Sequence, residues 1–156
     1  GNPSDKNIVT KLCNGFLVQN GSDWTWNSYN DDIAWAVIAF ARAYQLTGNT
    51  TFRDRAKANW DAMYARAWNS DLGGGLSWRT ANDGKTACVN GPGAIGAYLL
   101  YQITGDSAYL TKAQAIYDWL EGTLFDSGNG QVYDNIAYPS GNIQTAATTY
   151  NQGTQG

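Results

Sequence analysis

Tyr44-Gln45-Leu46-Thr47-Gly48-Asn49 returns 57 residues later as Tyr101-Gln102-Ile103-Thr104-Gly105-Asp106. The same offset pairs Ala56 with Ala113, Trp60 with Tyr117, and Asp61 with Asp118. Gly75-Leu76-Ser77-Trp78 matches Gly130-Gln131-Val132-Tyr133 after a small gap. Glycine just past an apolar run is a helix stop, because it enters the left-handed region without a steric penalty. Upstream of the first stop lies Ile33-Ala34-Trp35-Ala36-Val37-Ile38-Ala39-Phe40-Ala41, and upstream of the second lie Ala94, Ile95, Ala97, Tyr98, Leu99, Leu100 and Ile103. Helices apolar nearly all round belong inside a protein. Downstream, Phe52, Ala56, Trp60, Met63 and Ala67 form one stripe, while Arg53, Asp54, Arg55 and Lys57 face water. Leu110, Ala113, Tyr117 and Leu120 are the inward set of the second copy. Each unit is therefore an αα-hairpin with one buried and one two-faced helix, followed by a glycine loop.

The pattern predicts helices over residues 32–46, 51–68 and 107–124, and one from near Pro92 to the stop at Gly105. A short helical pattern, Ile8, Val9, Leu12 and Phe16, precedes them and ends near Asn14-Gly15. The stretch from Ala137 to Ala147 has no helical pattern, and Tyr150-Asn151-Gln152-Gly153 stands where a third inner helix should begin. The expected fold is all-α, a single domain over residues 1–156 made of about two and a half αα-hairpin repeats. Such units bury every flank only in a closed ring, which needs more of them than the sequence holds. The expectation is an incomplete toroid, with the remainder of the domain missing, and Gly1-Asn2-Pro3-Ser4-Asp5 reads as a processed or trimmed start.

Composition narrows the chemistry. With no histidine, Ser-His-Asp and Cys-His catalysis and His-based zinc sites are excluded. Cys13 and Cys88 are the two cysteines, enough for one disulfide but not for a framework. A net charge of -3 argues against nucleic acid or an anionic membrane as partner. No apolar run is long enough for a membrane span. Seven tryptophans and ten tyrosines with few charges suit a secreted or cell-surface protein that handles sugars, although most aromatics would serve a helical core. Trp24 and Trp26, in the polar loop before the first inner helix, either form a sugar platform or cover that helix's end.

Asp31 and Asp32 open that helix, where free N–H groups and the helix dipole meet. Two neighbouring carboxyls there are either a cap or an acid and nucleophile pair: the dipole helps one ionise, and the like charge makes the other hold its proton. Polar residues recur at the inner-helix entrances. Asn30, Asn90, Tyr150 and Asn151 are candidates for sugar hydroxyls and Trp78 for stacking, each alternatively a cap or turn residue. Asp71, Asp126 and Asp134 are read as shaping glycine loops. A calcium site between Asp126 and Asp134 would lack EF-hand spacing, and neither a metal nor a cofactor is expected.

Six motifs in order resemble glycoside hydrolase family 76, the α-1,6-mannanases. They are Asn30-Asp31-Asp32 before Ala34-Trp35, Gly73-Gly74-Gly75-Leu76-Ser77-Trp78, Asn90-Gly91-Pro92, Tyr101-Gln102-Ile103-Thr104-Gly105-Asp106, Val132-Tyr133-Asp134 and Thr149-Tyr150-Asn151-Gln152-Gly153. The resemblance implies an (α/α)6 barrel and a retaining hydrolase of α-1,6-mannosidic linkages in mannan or manno-oligosaccharides. By carry-over, Asp31 matches the nucleophile and Asp32 the general acid/base. Retention asks for carboxyls about 5 to 5.5 Å apart. The competing expectations are a mannan transglycosylase, a barrel enzyme of another specificity, and a non-catalytic helical-repeat fragment that binds carbohydrate or serves as scaffold.

Overall fold

The computed structural model describes residues 2–155. It is helical, in an arc of two hairpins with a helix at each end. Helix α1 is Pro3–Asn20, α2 Asn30–Thr47, α3 Thr50–Ala67, α4 Ala87–Thr104, α5 Ser107–Leu124 and α6 Thr149–Gln155. The hairpins α2–α3 and α4–α5 are built alike, each from two 18-residue helices. Gly48 and Gly105 close α2 and α4 at φ 74° and 75°. Thr47 and Thr104 return their hydroxyls to Ala43 and Leu100 carbonyls at 2.7 and 2.6 Å. Asn49 and Asp106 then cap the next helix, accepting from the amides of Thr51 and Ala108. The repeat in the sequence is thus a repeat of caps.

Phe52, Ala56, Trp60, Met63 and Ala67 are all buried. They meet Ile33, Val37 and Phe40 of α2 and Leu99 and Leu100 of α4 in one core. The copies touch through equivalent residues, with Gln45 donating to Gln102 at 3.3 Å. The Tyr109 hydroxyl crosses to Asp61 at 2.8 Å.

The structure corrects the sequence reading in several places. Helix α1 runs through Gly15, because Phe16 and Leu17 continue its apolar face, and stops at Gly21. Helix α4 starts at Ala87, five residues before Pro92. Proline is tolerated inside it because the carbonyl it leaves unpaired, that of Cys88, accepts from the Tyr150 hydroxyl at 3.3 Å. On α5 the buried set is Tyr109, Ala113, Ile116, Trp119, Leu120 and Leu124. Leu110 and Tyr117 are instead exposed, on a groove of about 560 Å³ shared with α4 and α6. The patternless stretch carries strands. Strands β1 (Gly84–Thr86), β4 (Asn135–Ala137) and β5 (Ile143–Gln144) form an antiparallel sheet in the order β1-β4-β5, and β2 (Phe125–Asp126) pairs with β3 (Gln131–Val132). Cys13 and Cys88 are both free thiols.

Candidate active site

The N-termini of α2, α4 and α6 share one end of the arc. Tyr29 is the N-cap of α2, so Asn30, Asp31 and Asp32 lie inside its first turn rather than capping it. The extended backbone of Tyr29 comes from its bridge to Arg79, while the Asn30 amide donates to the Trp78 carbonyl at 2.8 Å. Successive helical residues point about 100° apart. Asp31 and Asp32 therefore face different neighbours.

Asp31 is half-buried. Its Oδ2 accepts from the Cys88 thiol at 3.7 Å, and its Oδ1 is buried without a partner among the described residues. Burial, and secondly the charge of Asp32, push the Asp31 carboxyl above the usual range, while the Trp78 indole and the Cys88 thiol pull the other way. Burial pushes Cys88 itself up to about 12, so it stays a thiol, with the Thr86 hydroxyl 3.0 Å from its sulfur. Asp32 is exposed and accepts from Asn27 Nδ2 at 2.9 Å.

Two clefts flank the pair. One, of about 260 Å³, is lined by Trp78, Asp83, Gly84, Thr86, Cys88, Asp134 and Asn135. The other, of about 320 Å³, lies between α1 and α2, with Asp32, Asn27 and Trp26 on its wall.

The sequence candidates separate here. Asn30 and Asn90 are buried and committed to the protein. Asn30 Nδ2 donates to the Ser77 carbonyl at 2.8 Å, and its Oδ1 accepts from Arg66 Nε at 2.7 Å. Asn90 takes the Leu76 amide at 2.7 Å and donates to the carbonyls of Leu76 and Thr86. Asn151 is buried too and donates to Asp134 Oδ1 at 3.2 Å. Tyr150 stays at the site: its hydroxyl accepts from Trp35 Nε1 and donates to the Cys88 carbonyl, so it ties α6 to α2 and α4. Trp78 walls the smaller cleft but is boxed in, with the Tyr29 ring 5.2 Å away and the Arg79 guanidinium 5.3 Å over its face. Of the loop tryptophans, Trp24 is core and Trp26 is exposed.

Three site residues escaped the sequence reading: Cys88, Asn27 and Asp134. Asp134 had been read as a loop-shaping residue; it lies beside Cys88 in the smaller cleft. The glycine loop acts from behind. Lys85 is buried, and its ammonium donates to the carbonyls of Asn69 and Asp71 at 3.1 and 2.6 Å and to that of Gly74. Burial pushes it down to about 8. At Gly75, with φ 80°, any Cβ would stand 2.4 Å from the Trp119 ring. This packing fixes Leu76-Ser77-Trp78, and with it the wall beside Asp31. Among the described residues no group of three or more acidic or cysteine side chains is placed to hold a metal. Nor, among those residues, is any helix long and apolar enough to cross a membrane.

Comparison with known proteins covers most of the chain. The model of glycosyl hydrolase family 76 matches residues 4–155. A mannan endo-1,6-alpha-mannosidase of Candida albicans is 28% identical over 94% of this chain and 37% of its own length. Its namesake in Candida glabrata is 35% identical over 80% of this chain and 31% of its own. Among solved structures, the GH76A alpha-1,6-mannanase from Salegentibacter sp. HEL1_6 superposes with a TM-score of 0.84 at 38% identity, over 94% of this chain and 44% of that one. An inactive variant of it, with two consecutive Asp residues replaced by Asn, was solved with alpha-1,6-mannotriose. The chain thus spans less than half the length of these relatives, whose fold is an (α/α)6 barrel. Matched from Ser4 to Gln155, it belongs to glycosyl hydrolase family 76.

Proposed function

We propose that this chain carries the catalytic carboxyl pair of a retaining glycosidase that cleaves α-1,6-mannosidic linkages, and that the enzyme meets mannan outside the cell. The observation that carries the reading is the asymmetry of Asp31 and Asp32. One is half-buried with an oxygen left unpartnered, and the other is exposed and held by an amide. The Asp31 carboxylate attacks the anomeric carbon as the bond to the leaving O6 breaks and Asp32 gives that oxygen its proton. Asp32, now ionised, takes a proton from water, the water oxygen attacks the same carbon, and Asp31 is released. A residue that exchanges protons with water in each cycle belongs in the exposed position. With Asp32 protonated, its charge no longer lifts Asp31; the buried carboxylate keeps the Cys88 thiol as donor.

One observation favours the reverse assignment: before substrate binds, burial and Asp32 favour a proton on Asp31. Azide separates the two. In the full-length protein, Asp31→Asn and Asp32→Asn each lower kcat on α-1,6-mannotetraose by about a thousandfold. Truncation of the acid/base to Ala is rescued by azide on an activated mannoside to give an α-mannosyl azide, and truncation of the nucleophile gives the β-azide. An α product from Asp31→Ala reverses the roles; mannan cleavage that survives both Asn variants ends the proposal.

A further inference from the structure

Apart from Asp32, the mechanism above uses no residue of the cleft beside it, and an aromatic ring stands exposed on that cleft's wall. Trp26 is 65% exposed, high for the largest side chain. It is nevertheless fixed. Its Nε1 donates to the Asn20 carbonyl at 3.2 Å, at the end of α1. The backbone on both sides is clamped by Arg66, whose guanidinium donates to the carbonyls of Thr25 at 2.8 Å and Asn27 at 2.6 Å. Trp24 anchors the loop in the core, with its amide on Asn59 Oδ1 at 2.7 Å. One loop therefore presents an indole face and, one residue on, the amide that holds Asp32.

We propose that the cleft between Trp26 and Asp32 binds the mannosyl unit on the leaving-group side of the scissile bond, stacked on the Trp26 indole. This rests on the glycosidase reading above, and the geometry gives it a direction. A general acid must reach the glycosidic oxygen, so the departing sugar lies on the acid's side of the pair. Asp31 turns instead toward Cys88, which lines the cleft walled by Trp78. The two clefts thus divide between the sugar that becomes covalently bound and the sugar that leaves. A hexose offers an apolar C–H face and a rim of hydroxyls. A preset ring beside Asn27 and Asp32 meets both without the entropic cost of ordering a loop.

The test compares two substrates of the full-length protein. In α-1,6-mannotetraose the leaving group is a sugar; in α-1,6-mannobiosyl fluoride it is one atom and leaves this cleft empty. Trp26→Ala is expected to lose about tenfold in kcat/KM on the tetraose, one stacked ring's worth, and no more than about twofold on the fluoride. Trp26→Phe is expected to recover most of the loss. Equal losses on both substrates would show that Trp26 only supports the fold, and no loss on either would show that no sugar meets it. Either result overturns the subsite and leaves the glycosidase reading intact. A wild-type protein that cleaves neither substrate overturns both.

Discussion

Asp31 is an acid placed where an acid is costly. Its carboxyl is half-buried beside a like charge, with Oδ1 unpartnered. A carboxyl whose native pKa is raised above its unfolded value contributes stability that is complete below the unfolded pKa and lost as pH rises through the native one. Once ionised, Asp31 therefore destabilises the fold. Asp31→Asn is expected to raise Tm at pH 7, by on the order of 1 kcal/mol or about 2–4 °C, with the gain shrinking toward zero below pH 4. Thermal melts of variant and wild type across that range check it, and a gain over wild type no larger at pH 7 than at pH 4 sinks it. The acid pair was legible in the sequence because two carboxyls stood directly before an apolar run. Its supports were not, because they come from far along the chain: Cys88 lies 57 residues from Asp31. Trp24 and Trp26 look alike in one polar loop, and what parts them is Asn59 on α3, which takes the Trp24 amide.

At the scale of elements, the sequence located the hairpins through their stops and caps, which are local. It misplaced the start of α4 because that boundary is tertiary. Asn90 holds Leu76 by both its amide and its carbonyl, as a neighbouring strand would, and also takes the Thr86 carbonyl. The Leu76-Ser77-Trp78 segment thereby joins the helix whose first turn carries Cys88. Read from spacing, Asn90 is either a candidate for sugar hydroxyls or a cap or turn residue; in the fold it is a buried brace. Asn90→Ala leaves the Leu76 amide and carbonyl unpaired in the core, while the Thr86 carbonyl keeps its intrahelical partner. A loss of about 2–4 kcal/mol is expected in urea unfolding. Where the variant still folds, KM for α-1,6-mannotetraose should stay within about threefold, since the amide touches no substrate. An unchanged midpoint with a large rise in KM would return Asn90 to the rim. The small sheet was illegible for a similar reason. Its strands are two or three residues long and pair across the whole α4–α5 hairpin, too short for any alternation of apolar and polar residues to show.

Across the whole molecule, the repeat makes the architecture close to one-dimensional, each hairpin resting on its neighbour. Helices α2, α3 and α4 share the central core of Phe40, Phe52, Trp60 and Leu100. The ends are thinner. Helix α1 exposes Ile8, Leu12 and Val18 and buries only Cys13 fully. Helix α6 is seven residues long and buries only Asn151. Local opening follows the apolar area each element holds, so in this chain α1 and α6 should open before α2, α3 and α4. Native-state hydrogen exchange is expected to find the amides of α2 and α4 most protected, those of α3 and α5 next, and those of α6 and the first turns of α1 exchanging fastest. Such an ordering has a functional edge, because Tyr150 on α6 braces the Cys88 carbonyl above Asp31. If opening of α6 frees that brace, Tyr150→Phe speeds exchange in α6 and in the first turn of α4 while leaving α2 unchanged. Protection of α6 equal to that of α4 would mean that the arc opens as one unit and that the site is not held from its weaker end.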